Sequence, residues 1–565
     1  MTKFFFKILT LFVLLNLTFS FYSCKNEEDD EEAKSSMYIP TTYTITLNAN
    51  GGTLTGKSNY TVSVGDYWRI PEASSIGLKN SPKYFQGWAK TSSSTKVAYA
   101  DNYRFQPQSD LTLYAVWGDI KQETYTANSS KSLQSIIDEI NYKNIDSDIL
   151  ESKTAYTIYI DGELSGTTKI QDGTNVGLGR KIKLAESITL IGRNDNDRLT
   201  GGDSKTILFI SSEAPIMIKN LAFSGGKGTF GAKKNLGGAI YIEGTSTNVT
   251  IGENVLFLDN TAENGGAIYI NTGTLTINTD ITMKENTAEN GGAIYNDNGS
   301  VVINGGTITA NTASFNGGGI YNKGSLSING GTISLNKASL NGGGLYTSSA
   351  VSLEGGRIES NEAENGGGIF IDDGTVTNSA NVIKNKAKFG AGVYNKSEFA
   401  MRGGSVSQNE ASEDGGGVYN SGSFTMTGGN VSFNTAIRNG GGLLNSSGSI
   451  EFNNGSIDDN KAKNGGGIFN NGISLIIGTY TLVNGKDIVA GGIRRNSASE
   501  KGGAIYNMSG SFTLNTGTEP SGEKISAKIE DNIAPDNNGK TWYKAGGSIT
   551  IKETVQSSEY CDSNI

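Results

Sequence analysis

Close copies of Asn286-Thr-Ala-Glu-Asn-Gly-Gly-Ala-Ile-Tyr-Asn296 recur along much of the chain, and their spacing leaves few folds open. The Ile, Leu or Val after the glycines stands at Ile240, Ile268, Ile294, Ile320, Leu345, Ile369, Val393, Val418, Leu443, Ile468 and Ile505. Steps are 24–28 residues except the last, which an insertion around Asn471–Asp487 lengthens. Each unit reads as three short strands, as in GGGIYN, KGSLSING and GTISLNKASLN across Gly317–Asn341. This is too short for a strand–helix pair with loops and lacks helical apolar spacing. It fits one turn of a single-stranded right-handed parallel β-helix.

Columns through the repeat support that reading. Three residues before a recurring Asn stand Phe257, Met283, Ile308, Ile333, Ile358, Val382, Val406, Val431, Ile457 and Ile493. Eight before it stand Ile303, Ile328, Leu353, Met401, Met426 and Phe452, and two further back Val301, Leu326, Val351, Phe399, Phe424 and Ile450. Polar residues separate these positions, the alternation of a strand with one face inward. The Asn column is Asn260, Asn286, Asn311, Asn336, Asn361, Asn385, Asn409, Asn434, Asn460 and Asn496. An Asn in a bend tolerates left-handed geometry, and stacked amides bond from coil to coil. Two residues on, a small Ala (Ala288, Ala313, Ala338) fits a tight corner. Between them Lys337, Glu362, Lys386 and Glu410 alternate in sign, predicting an outward charge ladder with no ligand implied.

Composition narrows the chemistry. The 77 glycines against 7 prolines have no collagen period, so they are turn residues within regular structure. A net charge of −9 argues against nucleic acid as a partner. Histidine is absent, which removes His-based nucleophile systems and imidazole metal sites. No cofactor is expected.

The chain opens MTKFFFKILTLFVLLNLTFSFYSC, a charged start and short apolar run ending at Cys24 after the small Ser23. This predicts a signal peptide over 1–23. Cleavage before a cysteine resembles the bacterial lipobox, which implies lipidation of Cys24 and a membrane contact through the lipid. The acidic run that follows predicts a solvated tether over 24–39. Such runs also resemble the surface-export signals of some Gram-negative lipoproteins, which implies display on the outer membrane. Cys561 is then left unpaired in a polar tail.

Residues 40–118 predict a small β module, with Tyr67, Trp68, Phe85, Trp88, Tyr114 and Trp117 supplying its core. NANGG, Gly65-Asp66, Phe85-Gln-Gly-Trp-Ala89 and LTLYAVW together resemble the Listeria–Bacteroides repeat, the B repeat of internalin-type surface proteins. That resemblance implies a β-grasp-like spacer. Gly51–Ser58 spells GxxxxGK[ST], but NYTVSV downstream is strand-like, so a hairpin turn is expected and no nucleotide.

Residues 119–200 predict a cap and the first coils, with Leu133, Ile136, Ile137 and Ile140 on one helical face; 201–517 predict the array, and 518–565 a terminal cap and tail. The pairing of GGAI (Gly237, Gly265, Gly291, Gly502) with Phe257-Leu-Asp-Asn260 resembles the repeats of chlamydial polymorphic outer membrane proteins. Members are surface passengers, several of them adhesins, so the resemblance implies contact with a host or matrix protein or glycan.

Parallel β-helices also resemble the pectate-lyase-like fold, which hosts polysaccharide lyases and hydrolases. The candidate acids are Asp372-Asp373, Asp458-Asp459, and Glu359 with Glu362 and Glu364. They form no column at one register, and no coil stands apart from the rest. No catalytic residue is therefore assigned. The expected function is a surface rod for adhesion; a carbohydrate-active enzyme and a purely structural coat are the alternatives.

Overall fold

The computed structural model describes residues 41–552 apart from 82, 146–152, 176–179, 183, 203–204, 231–232, 235, 479–481, 484–485, 488–490, 519–523, 527 and 536–537. The leader, Cys24, the acidic tether and Cys561 lie outside the described residues. The chain divides into two compact units after Asp119.

In the first unit, Thr42–Asn48 pairs antiparallel with Asn59–Ser63 and parallel with Leu111–Asp119, which also pairs antiparallel with Lys83–Ala89. Alternation along Thr42–Asn48 sends Ile45 and Leu47 inward, where they meet Val62, Ile70, Leu113 and Trp88. Trp68, Phe85 and Trp117 pack half-buried around this aliphatic centre. Tyr67, expected in the core, is instead 63% exposed beneath Arg104. Its neighbour Trp68 begins the short strand Trp68–Arg69 and takes the inward position. Tyr114 is half-buried between the buried Leu113 and Ala115, as a period of two requires. Gly51–Ser58 joins two antiparallel strands, and a strand rather than a helix follows it.

In the second unit each regular coil carries four strands, one more than the sequence suggests. One coil comprises Ile294–Asn296, Ser300–Ile303, Thr307–Thr309 and Thr312–Asn316, here assigned to sheets 1 to 4. Sheets 1 and 3 each hold 14 strands and sheet 4 holds 9. Steps between regular coils are parallel, and sheets 1 to 3 keep their register, as in Ile268, Ile294 and Ile320, while sheet 4 shifts by one residue after Ala288, Ala387 and Ala462. At about 4.8 Å per strand, sheet 1 extends roughly 60 Å. The fourth strand escapes a sequence reading because Thr312–Asn316 has only Ala313 buried, too little apolar material to mark a strand.

The apolar columns form one continuous core. Ile294, Val301, Ile303 and Ile308 of a single coil are each 2% exposed or less. Burying each such side chain contributes about 1.5–3 kcal/mol, and stacking repeats it coil after coil. Sheet 2 begins at Lys121–Ala127, before the helix Leu133–Ile145 (α1), whose Leu133, Ile136, Ile137 and Ile140 close the core. At the other end the coil geometry continues past 517. Lys528–Glu530, Trp542–Lys544 and Ser548–Lys552 add strands to sheets 3, 1 and 2. The motif had decayed there while the register persisted. The lengthened coil carries a hairpin, Leu482–Val483 against Lys486–Asp487.

Candidate functional site

The asparagine column stands at the corner between sheets 3 and 4, fully buried. Asn286 donates its side-chain amide to the Phe257 carbonyl (3.2 Å) and to Asn311 Oδ1 (2.9 Å), and its backbone N–H to the same Oδ1 (2.9 Å). The pattern runs from Asn260 through Asn311, Asn336, Asn361, Asn385, Asn409, Asn434 and Asn460 to Asn496, which donates to Asn532 (3.0 Å). The left-handed residue is the one before each Asn, such as Glu285 (φ 59°) or Leu335 (φ 55°), rather than the Asn itself. The bend needs one left-handed residue, and the Asn then bridges coils from ordinary backbone geometry. Amide and carbonyl alike are consumed inside the stack, so this column has no valence left for a ligand.

Two further columns carry the same chemistry. After the Ile-Tyr pair, Asn296 donates to Asn322 Oδ1 (2.8 Å) and Asn395 to Asn420 Oδ1 (2.7 Å), all buried. Before the glycines, Asn341 donates to Asn316 (2.8 Å) and Asn365 to Asn341 (2.9 Å). The Tyr between Ile and Asn builds a stack of nine rings from Phe209 to Tyr419, with centroids 4.5–5.5 Å apart and planes within 20°. Its signal was present in every Ile-Tyr-Asn copy, but period alone does not say that a recurring Tyr stacks. Burial pushes the Tyr394 hydroxyl up to about 12 and raises that of Tyr346. Tyr346 donates to Asp372 (2.8 Å). Burial alone would raise the Asp372 pKa, but bonds from Lys396 and Tyr346 outweigh it and hold the carboxyl low.

One surface open to contact is the outer side of sheet 4. Ala338, Ala363, Ala387 and Ala411 turn inward, and the residues on either side of each turn out. The outward charges pair between coils: Lys337 with Glu362 (3.2 Å), Lys386 with Glu410 (3.4 Å), and Lys388 with Glu413 (3.6 Å). A groove of about 920 Å³ runs over this strip from Lys337 to Ile437. Exposed ammonium and carboxylate groups over small side chains suit noncovalent docking.

The candidate acids are dispersed and each has a basic or backbone partner. Lys396 holds Asp372, and Asp373 accepts from the Gly374 N–H (2.8 Å). Arg494 (3.4 Å) and Arg495 (3.7 Å) flank Asp458, while Arg495 reaches Asp459 at 2.8 Å. Glu359 pairs with Arg357 (2.8 Å), Glu362 with Lys337, and Glu364 with Lys388 (4.0 Å). Among the described residues, no three His, Cys, Asp or Glu side chains converge as a metal site.

These features define a parallel β-helix solenoid whose ladder asparagines are satisfied within the stack and whose charged strip faces outward. The model of the Chlamydia polymorphic membrane protein repeat matches residues 254–271 and 280–297, so these two segments are similar to repeats of that type. The first match spans Phe257–Asn260 and Gly265–Ile268, the second Met283–Asn286 and Gly291–Ile294. No curated protein sequence and no solved structure matches the chain.

Proposed function

We propose that this is a lipid-anchored protein of the outer membrane surface, held through Cys24, whose coil array binds a host or matrix protein or glycan. The observation that carries the reading is the outer face of sheet 4, open along several coils, while the ladder asparagines and the candidate acids have partners within the array. The repeat match supports surface display, since that repeat type is named for membrane proteins. The lipobox-like leader and the acidic run supply the anchor and the tether. The first unit serves as a β-grasp-like spacer of internalin type.

The test has two arms. Intact cells should expose the chain to antibody, and changing Cys24→Ser should release it from the membrane fraction. Purified protein should bind host cells or matrix components, with binding reduced by charge reversal at Lys386 and Glu410. Absence of binding across cells and matrix would leave a structural coat. Release of reducing or unsaturated sugars, lost on replacing Asp458 and Asp459, would replace adhesion with catalysis.

A further inference from the structure

The outward charges of sheet 4 are ordered as well as paired. Along the column that follows the ladder asparagines, Lys337, Glu362, Lys386 and Glu410 lie in direct strand register. Read in reverse, the order of signs inverts. A second copy turned end for end therefore sets Lys337 against Glu410 and Glu362 against Lys386, twice over.

The next outward column follows the same symmetry at its centre. Two residues further along each strand, Glu364 and Lys388 straddle the same midpoint; Ser339 and Ser412 flank them, and a one-residue bulge adds Glu413 beside Lys388. At its extremes Glu289 meets Lys463, again with opposite signs. The same rotation brings the coil of Asn311 onto the coil of Asn434, which sets the exposed Phe315 opposite Arg438, one position from the exposed Ile437. A closed two-fold interface requires this kind of self-complementarity.

We propose that the outer face of sheet 4 is a contact surface for a second copy of this chain, docked antiparallel about a two-fold axis between the coils of Asn361 and Asn385. Lys337, Glu362, Lys386 and Glu410 then each have an opposite neighbour both along their own column and across the interface. Parallel docking in register would set like charges face to face. A strip eight coils long buries about 900 Å² in total, at the low edge of specific interfaces, so the pair is weak and salt-sensitive. The amino-terminal ends of the two arrays lie at opposite ends of the pair. Resting on the surface reading above, that orientation suits rods from two opposed surfaces better than neighbours on one.

Sedimentation equilibrium of the full chain tests the pairing wherever the protein resides. The dimer should weaken at least about tenfold between low and roughly 0.5 M salt. Lys337→Glu with Lys386→Glu makes these four positions all acidic, and Glu362→Lys with Glu410→Lys makes them all basic. Each variant should lose the homodimer while keeping the circular dichroism spectrum and melting profile of the parent, and their mixture should form a heterodimer. A bridged peptide joining Ser339→Cys in one copy to Ser412→Cys in another would fix the antiparallel register. A parent chain that stays monomeric at low salt, variants that dimerise as well as the parent, or no mixed bridge would overturn the proposal.

Discussion

Asn361 donates its side-chain amide to Asn385 Oδ1 at 3.1 Å and to the Ile333 carbonyl at 2.9 Å, so one buried side chain ties three successive coils together. Its own Oδ1 accepts from the backbone N–H and the side chain of Asn336. Asn361→Ala leaves buried donors and acceptors without partners in the middle of the array. The expected loss is about 2–4 kcal/mol, read as a lower urea midpoint. Loss under 1 kcal/mol would mean that water or a neighbour replaces the amide.

The glycine pair divides by position. Gly292 lies where a Cβ would strike the Gly318 carbonyl oxygen of the next coil and the Thr312 backbone. The third position of the triplet is Ala in some coils (Ala267, Ala293) and Gly in others (Gly319, Gly344). Gly292→Ala should therefore destabilise by several kcal/mol, whereas at Gly319 a Cβ meets the Gly344 carbonyl oxygen at 2.7 Å rather than 2.2 Å, so Gly319→Ala should destabilise distinctly less. Equal melting shifts for the two would contradict this packing.

Tyr321 stacks at 4.6 Å on Tyr295 and 4.5 Å on Tyr346. Leu444 occupies the equivalent place further along sheet 1 and remains buried. Tyr321→Leu should thus cost about 0.5–1.5 kcal/mol, the ring–ring part of the contact, and Tyr321→Ala distinctly more. Thermal unfolding of the pair of variants separates the stacking contribution from burial.

Lys386 and Glu410 pair at 3.4 Å with both side chains about two-thirds exposed. Lys386→Ala should shift stability by no more than about 1 kcal/mol. A change of several kcal/mol would place the charge strip among the determinants of the fold.

Asp197 accepts backbone N–H groups from Gly162 (2.7 Å), Arg193 (2.6 Å) and Asn194 (2.7 Å), holding two early coils together. Burial alone would raise its pKa, but these donors outweigh it and leave the carboxyl below its ordinary value. Its contribution is therefore full above the unfolded-state pKa near 4 and drains away as pH falls through the lower folded value. Asp197→Asn should lower the urea midpoint at pH 7 and narrow the difference between pH 7 and pH 3. An unchanged acid limb would assign the pH dependence to other carboxylates.

Most of the architecture was readable from the chain because the repeat samples one local environment many times. Ile294, Val301, Ile303 and Ile308 recur at fixed offsets, so their inward direction follows from period alone. The fourth strand of each coil, the second and third asparagine columns and the tyrosine stack were visible as recurring letters without an assigned partner. Their partners lie about 25 residues away in sequence, as Asn296 and Asn322 do, and only the stacked register makes them neighbours. The exposed strip was legible as alternating charge at Lys337, Glu362, Lys386 and Glu410, but its two-fold order depends on which side chains share an outward face.

By itself the sequence determined the period, the inward columns and the glycine bends, because each follows from steric limits within one coil. Only the tertiary structure decided which residue of the bend is left-handed, that coils continue past 517, and how the ladder amides are satisfied. Those outcomes depend on hydrogen bonds between coils: Asn496 still finds Asn532 after the motif has lapsed, since strand register and not sequence likeness brings the next acceptor within reach.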